Sequence, residues 1–317
     1  MSQFTLSKFL DSLTHFEVFE DSYDISLWSS LSLDEQTQAE DALIRASAQG
    51  DARALVTLGY LGVERAAETV QAQTQNSSPW VRFAAHRALS RLGGSSEGLI
   101  EDVISGDFTI RFGAVMELAT TEGEGAEHIL IQALEDPDGL VRSQALDSLI
   151  ERYGLIPMTQ DQAGHTLLES PLKTLNMRLM ADLDPLWQQA AWDAKEIFRK
   201  LAAGIHPNDL GLIYIQTAPD NFRAKVRDAF FDEDQPFDTS LIATVRGCDR
   251  QCVETFLALQ LDPAIRSSRA VEALASLNAK WVLPSLKVSA TGLPDDHPYS
   301  TAVQNAIQIL TSNQSSL

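Results

Sequence analysis

An apolar residue followed by arginine recurs at Val81-Arg82, Ile110-Arg111 and Val141-Arg142, at steps of 29 and 31 residues. Each time an alanine follows four positions after the apolar member (Ala85, Ala114, Ala145) and a leucine eight positions after it (Leu89, Leu118, Leu149). Steps of four lie on one face of an α-helix, so three columns in step define a helical repeat of about thirty residues. One helix–turn–helix unit cannot bury its apolar stripe alone and must stack on the next. The expected fold is therefore all-α: an α-solenoid, or superhelix, of stacked helix-turn-helix repeats.

The most regular copy is Glu135–Gly154, EDPDGLVRSQALDSLIERYG. Asp136 is placed to cap its helix, Pro137 to occupy the first helical position, and Gly154 to end it. Partner helices are expected at Glu97–Ile104 and Glu124–Leu134. Upstream, Ser32 and Glu35 form a capping box that opens a helix running to Gly50, followed by helices over Asp51–Leu61 and Val63–Thr74, and by one from Ser78-Pro79 to Gly93-Gly94. After Gly154 the period loosens. Ser170-Pro171 and Asp184-Pro185 each open a helix, and Asp262-Pro263-Ala264-Ile265-Arg266 restores the signature, with Ala270, Ala273 and Leu274 behind it. The chain divides into an N-terminal helical cap at 1–49, regular repeats at 50–154, and an irregular continuation with a C-terminal cap at 155–317.

The acidic or proline-containing turn, the Val-Arg pair and the Ala/Leu-rich run of DPDGLVRSQALDSL resemble HEAT-like repeats of the phycobilin-lyase type, over residues 50–154. The resemblance implies a fold. Proteins of this kind serve as scaffolds, inhibitors and adaptors and, in one branch, as accessories that attach bilins to light-harvesting proteins.

Forty-four acidic residues face 24 basic ones, a formal net charge of −20. Such a balance repels phosphate backbones and anionic membrane surfaces and favours a basic partner. Nucleic acid is a disfavoured partner for that reason. With no signal-peptide pattern in MSQFTLSKFLDSL and no membrane-spanning apolar run, the expected location is cytoplasmic. Cys248 and Cys252 are too close on one helix for an unstrained disulfide and read as reduced thiols.

The repeat arginines Arg82, Arg111, Arg142 and Arg266 read as a structural ladder that hydrogen-bonds neighbouring turns. The candidate partner-binding residues are Phe230, Phe231, Asp232, Glu233, Asp234, Phe237 and Asp238, phenylalanines interleaved with acids on one turn. Trp192 joins them, because Trp187 and Trp192 point to different sides of one amphipathic helix. The same turn departs from a calcium loop, since Phe237 and Ala243 stand where glycine and glutamate are required. The six histidines, His15, His86, His128, His165, His206 and His297, have no ligand spacing. No nucleophile, phosphate-loop or dinucleotide motif is present, so no catalytic, cofactor or metal residue is assigned. The expected function is a non-enzymatic scaffold whose concave face sequesters or inhibits a basic protein, as an immunity or adaptor protein does. A bilin lyase or chromophore-attachment accessory and a DNA-binding or DNA-repair solenoid are the alternatives.

Overall fold

The computed structural model describes residues 2–12, 23–121, 124–155, 171–210, 212, 226, 229–231, 239–243 and 247–312. Two compact units divide the chain, Met1–Leu130 and Ile131–Leu317. Among the described residues the structure is all-α, with no strand and no helix long and apolar enough to cross a membrane.

The first unit holds α1 (Ser2–Asp11), α2 (Leu33–Ala48), α3 (Ala52–Leu61), α4 (Ala67–Gln73), α5 (Pro79–Arg91), α6 (Glu97–Asp102) and α7 (Phe108–Leu118). Helix α8 (Glu124–Ala133) runs through the boundary between the units. Local sequence sets these starts. Ser32 and Glu35 exchange both hydrogen bonds of a capping box, and the carboxylates of Asp51 and Asp107 each accept two backbone N–H bonds at the starts of α3 and α7. Helices of six or seven residues, such as α6 and α4, are too short to persist without packing.

Packing in this unit makes two layers. The second helices α3, α5 and α7 touch in succession, and the first helices lie against them, α2 on α3 and α6 on both α5 and α7. Leu43, Leu55, Leu58, Ala85 and Ala88 are buried between the layers. Two glycines permit the close approach. A Cβ on Gly59 would stand 2.7 Å from Ala88 Cα, and one on Gly113 would stand 2.6 Å from Phe83 Cζ. At the N-terminal end Phe9, Tyr23 and Trp28 cluster, and Tyr23 donates from its hydroxyl to Asp51 Oδ2 at 2.7 Å.

The second unit holds α9 (Gly139–Arg152), α10 (Pro171–Leu179), α11 (Asp184–Ala202), α12 (Ser240–Ala243), α13 (Gly247–Leu259), α14 (Ser268–Ser276), α15 (Leu283–Ser289) and α16 (Pro298–Ser312). Helix α10 packs on α9, α11 and α13; α14 packs on α13 and α16. Leu257, Leu274, Val282, Leu286, Tyr299, Val303 and Leu310 form its core.

Two expectations are corrected. Helix α9 is capped by Asp138, whose carboxylate accepts from Leu140 N–H, while Asp136 lies in the preceding turn and accepts from Asp138 N–H at 2.8 Å. Glycine at the first helical position serves there in place of Pro137. Asp262–Arg266 does not open a helix: it forms a turn in which Arg266 has φ +50°, and α14 starts two residues later with Ser267 as its cap. The left-handed conformation at Arg266 ends the helical continuation that the repeat signature requires. Much of the stretch after Gly154 where the period loosens, residues 156–170, lies outside the described residues.

Candidate functional site

Three of the four repeat arginines share one role. Arg82 Nη1 donates to Asn76 O and Ser77 O, Arg111 Nη1 to Ser105 O, and Arg142 Nη1 to Asp136 O and Pro137 O. Each guanidinium thus ties its helix to the turn before it, through neutral carbonyls. Arg142 goes further. Its Nε and Nη2 reach Leu179 O and Ala181 O at 2.6 and 3.1 Å, and its guanidinium stacks on the Trp187 ring at 4.3 Å. Burial pulls its pKa below the ordinary arginine value, and Asp136, Asp138, Asp182 and Asp184 oppose that pull. Arg266 departs from the set, as its place before α14 requires, and its Nε is buried without a hydrogen-bond partner.

Charge in the first unit follows the layers. Helices α2, α4 and α6 carry Asp34, Glu35, Glu40, Asp41, Glu68, Glu97, Glu101 and Asp102 with Arg45 alone in opposition. Apart from their N-cap aspartates, α3, α5 and α7 carry Arg53, Arg82, Arg87, Arg91 and Arg111 against a single acid, Glu117. Residues 1–130 hold 20 acidic and 8 basic side chains, a net charge of −12; residues 131–317 hold 24 and 16, a net charge of −8.

Glu117 is the centre of the second layer. It is buried, and Arg87 donates to it from Nε and Nη2 at 2.9 and 2.6 Å while Arg91 donates from Nε and Nη2 at 3.1 Å each. Arg87 is buried with it, over the Phe83 ring. Arg91 lies on the Tyr60 ring, 3.8 Å from its centroid. Two cations on one carboxylate leave a local surplus of one positive charge. Sequence columns missed this triad because Glu117 and Arg87 fall one position out of register in their repeats. The legible signal was a lone acid in the apolar run FGAVMELA, opposite an α5 that carries no acid.

The second unit has its own buried carboxylate. Glu254 accepts from Arg250 Nε at 2.8 Å and from Trp281 Nε1 at 2.9 Å. Nearby, Arg178 donates to Asp193 and lies over the same Trp281 ring. Asp147 is a carboxyl raised above its ordinary value, by the protein crowded around it, against a hydrogen bond from Asn176 Nδ2 that lowers it. Asn176 in turn accepts from Ser143 Oγ. This rim position, open to water, gives no apolar pocket for acid–base work.

The sequence-predicted partner residues are not gathered into one described surface. Trp192 is 60% exposed on α11, and Phe231 is 61% exposed. Phe230 is 5% exposed, packed edge-on to Phe256, and is core where a surface anchor was expected. Asp232, Glu233, Asp234, Phe237 and Asp238 lie outside the described residues. The Cys252 thiol lies beside the Thr174 hydroxyl at 3.2 Å. Among the described residues no cluster of three or more His, Cys, Asp or Glu is placed to hold a metal ion. His86 pairs with Asp102 at 2.7 Å, and Gly98 leaves room for the imidazole.

No protein-family model matches the sequence, and no curated protein matches it. Among solved structures, the crystal structure of an engineered protein is similar over 98% of each chain at 13% identity, with a TM-score of 0.25, too low to support any inference about this one.

Proposed function

We propose that the chain is a HEAT-like α-solenoid working in the cytoplasm as a non-enzymatic scaffold that captures a basic protein. The observation that carries this reading is the layered charge of residues 1–130. Carboxylates stand on the first helices, and Glu68, Glu97 and Glu101 are exposed there. Several cations of that unit are engaged within it: Arg65 pairs with Glu40 and Asp41, Arg87 and Arg91 share Glu117, and Arg53 donates to Ser12 O. Because the acids stand on the first helices, that face, and not the second-helix face a concave groove would use, is assigned to the basic partner. Locally uncompensated negative charge raises the encounter rate with a positive surface and makes it depend on salt.

The same layout weighs against a nucleic-acid role, since Arg82 and Arg111 are spent on turn carbonyls. A partner captured from the source cell, or an unrelated basic protein such as a histone as a probe, should associate at least about tenfold faster at low salt than at 0.5 M. Replacing Glu68, Glu97 and Glu101 by Gln should remove most of that dependence. A rate indifferent to salt in the unsubstituted protein would falsify the reading.

A further inference from the structure

We propose that the second-helix layer of residues 1–130 is a separate docking face, for an acidic segment of a partner protein, seated by one partner carboxylate on Arg91. This goes beyond the capture of a basic protein and uses the opposite layer of the unit.

Arg91 is held ready. A flexible exposed arginine loses rotamer freedom when it binds, which weakens most surface ion pairs. Arg91 has lost that freedom already: its Nε and Nη2 are fixed on Glu117, and the flat of its guanidinium rests on Tyr60. Among the described residues, its Nη1 and the Tyr60 hydroxyl have no hydrogen-bond partner, and both side chains are about one-third exposed or more (32% and 39%). A guanidinium N–H and a phenol O–H on one stacked pair are both donors that a carboxylate can take.

The electrostatics agree at short range. Glu117 balances one of the two arginines on it, so Arg91 keeps its attraction for an anion, and the remaining charges of α3, α5 and α7 are arginines. Apolar surface flanks the donor. Tyr60 and Met116 are exposed on the neighbouring helices, and Trp80 is exposed on the Arg91 stripe of α5. Trp80 and Arg91 are eleven residues apart, about 16 Å along the helix at roughly 1.5 Å per residue. Tyrosine, tryptophan and arginine are the residues that dominate protein interfaces.

A nucleic-acid strand fits this face less well. It would need several cations in a row, whereas Arg82 and Arg111 point to turn carbonyls, Arg87 is buried, and one edge of one arginine is left. One edge matches one carboxylate.

The test uses the full chain with ¹⁵N-labelled tryptophan and arginine side chains. Three probes are titrated: a twelve-residue peptide of leucine and glutamate, its leucine–lysine counterpart, and oligothymidine. The glutamate peptide is expected to shift the Trp80 indole and Arg91 Nε signals. Arg91→Gln and Met116→Glu should each weaken it about tenfold. Met116 is exposed and outside the triad, so its substitution reads docking without disturbing the fold. The proposal is overturned if the glutamate peptide leaves both signals unmoved at millimolar concentration. It is overturned equally if both variants bind it unchanged, or if the lysine peptide or oligothymidine moves those signals in its place.

Discussion

Glu117 in the first unit and Glu254 in the second are both buried against aromatic and cationic side chains, and the two are compensated differently. Glu117 faces two arginines, one of them buried with it; Glu254 faces one arginine on its own helix, about one-third exposed as Arg91 is, and an indole N–H. The first arrangement joins two helices, α5 and α7, and leaves a positive charge in surplus. The second ties α13 to the turn before α15 and closes its charge. The difference teaches where a buried carboxylate is a clamp and where it is also a platform for something else. In the first, the exposed arginine is also stacked on a tyrosine ring, which fixes its guanidinium.

Removing Glu117 should give the largest effect. Glu117→Ala removes the buried carboxylate that Arg87 and Arg91 share, a loss of about 3–5 kcal/mol. Urea unfolding followed by tryptophan fluorescence measures it. Replacing the whole pair, Arg87→Met with Glu117→Leu, should recover most of that loss, because removing one partner of a buried ion pair costs more than exchanging both for apolar side chains. A double variant as unstable as the single one would break the distinction between clamp and platform.

Arg142 comes next. It serves four carbonyls and stacks on Trp187, so Arg142→Lys, with a compact ammonium that cannot span that fork, should cost about 2–3 kcal/mol. The matching change at Arg111, which keeps a carbonyl of its own turn within reach of a lysine, should cost less than about 1 kcal/mol. Equal losses would show that the ladder is uniform after all. Glu254→Ala should fall between these, about 1–2 kcal/mol, since Arg250 keeps the Leu277 carbonyl and its contact with water, and only the indole N–H is left without its acceptor.

Much of the fold was legible in the chain because it is written locally. Ser32 with Glu35, Pro79 at the first turn of α5, and Gly50, Gly93 and Gly154 in left-handed conformation at helix ends are each explained by neighbours within four residues. The repeat columns Ala85–Ala114–Ala145 are buried together with Leu118 and Leu149 for the same reason. Arg266 shows the limit. Its Ile-Arg pair copies the signature, yet Ser267 lies one residue on and is the residue that caps, so the helix starts late and the arginine misses its carbonyls. The site was less legible. Arg91, Tyr60 and Glu117 come from three helices, and their meeting depends on Gly59 and Gly113 letting those helices close up, which no single-helix pattern records. Phe230 was misplaced because an aromatic beside acids reads as surface until its packing against Phe256 is known.

The smallest expected effect compares two tyrosines, one in each unit. Burial raises the Tyr23 hydroxyl well above its ordinary value, and its hydrogen bond to Asp51 adds to that. Burial raises Tyr299 as well, but Ser289 and Arg266 oppose it. A folded pKa above the unfolded one means that the neutral form is preferred in the fold. The associated stability is complete below about pH 10, the unfolded value, and is lost as pH climbs through the folded values. Tyr23→Phe should therefore flatten the alkaline fall in stability more than Tyr299→Phe does, with urea midpoints from pH 8 to 11 as the measure. The Asp51 carboxylate is what separates the two, so Asp51→Asn, which keeps an acceptor without the charge, should bring Tyr23 down toward the behaviour of Tyr299. A larger change from Tyr299→Phe would place the more strongly protected tyrosine in the second unit and reverse the comparison.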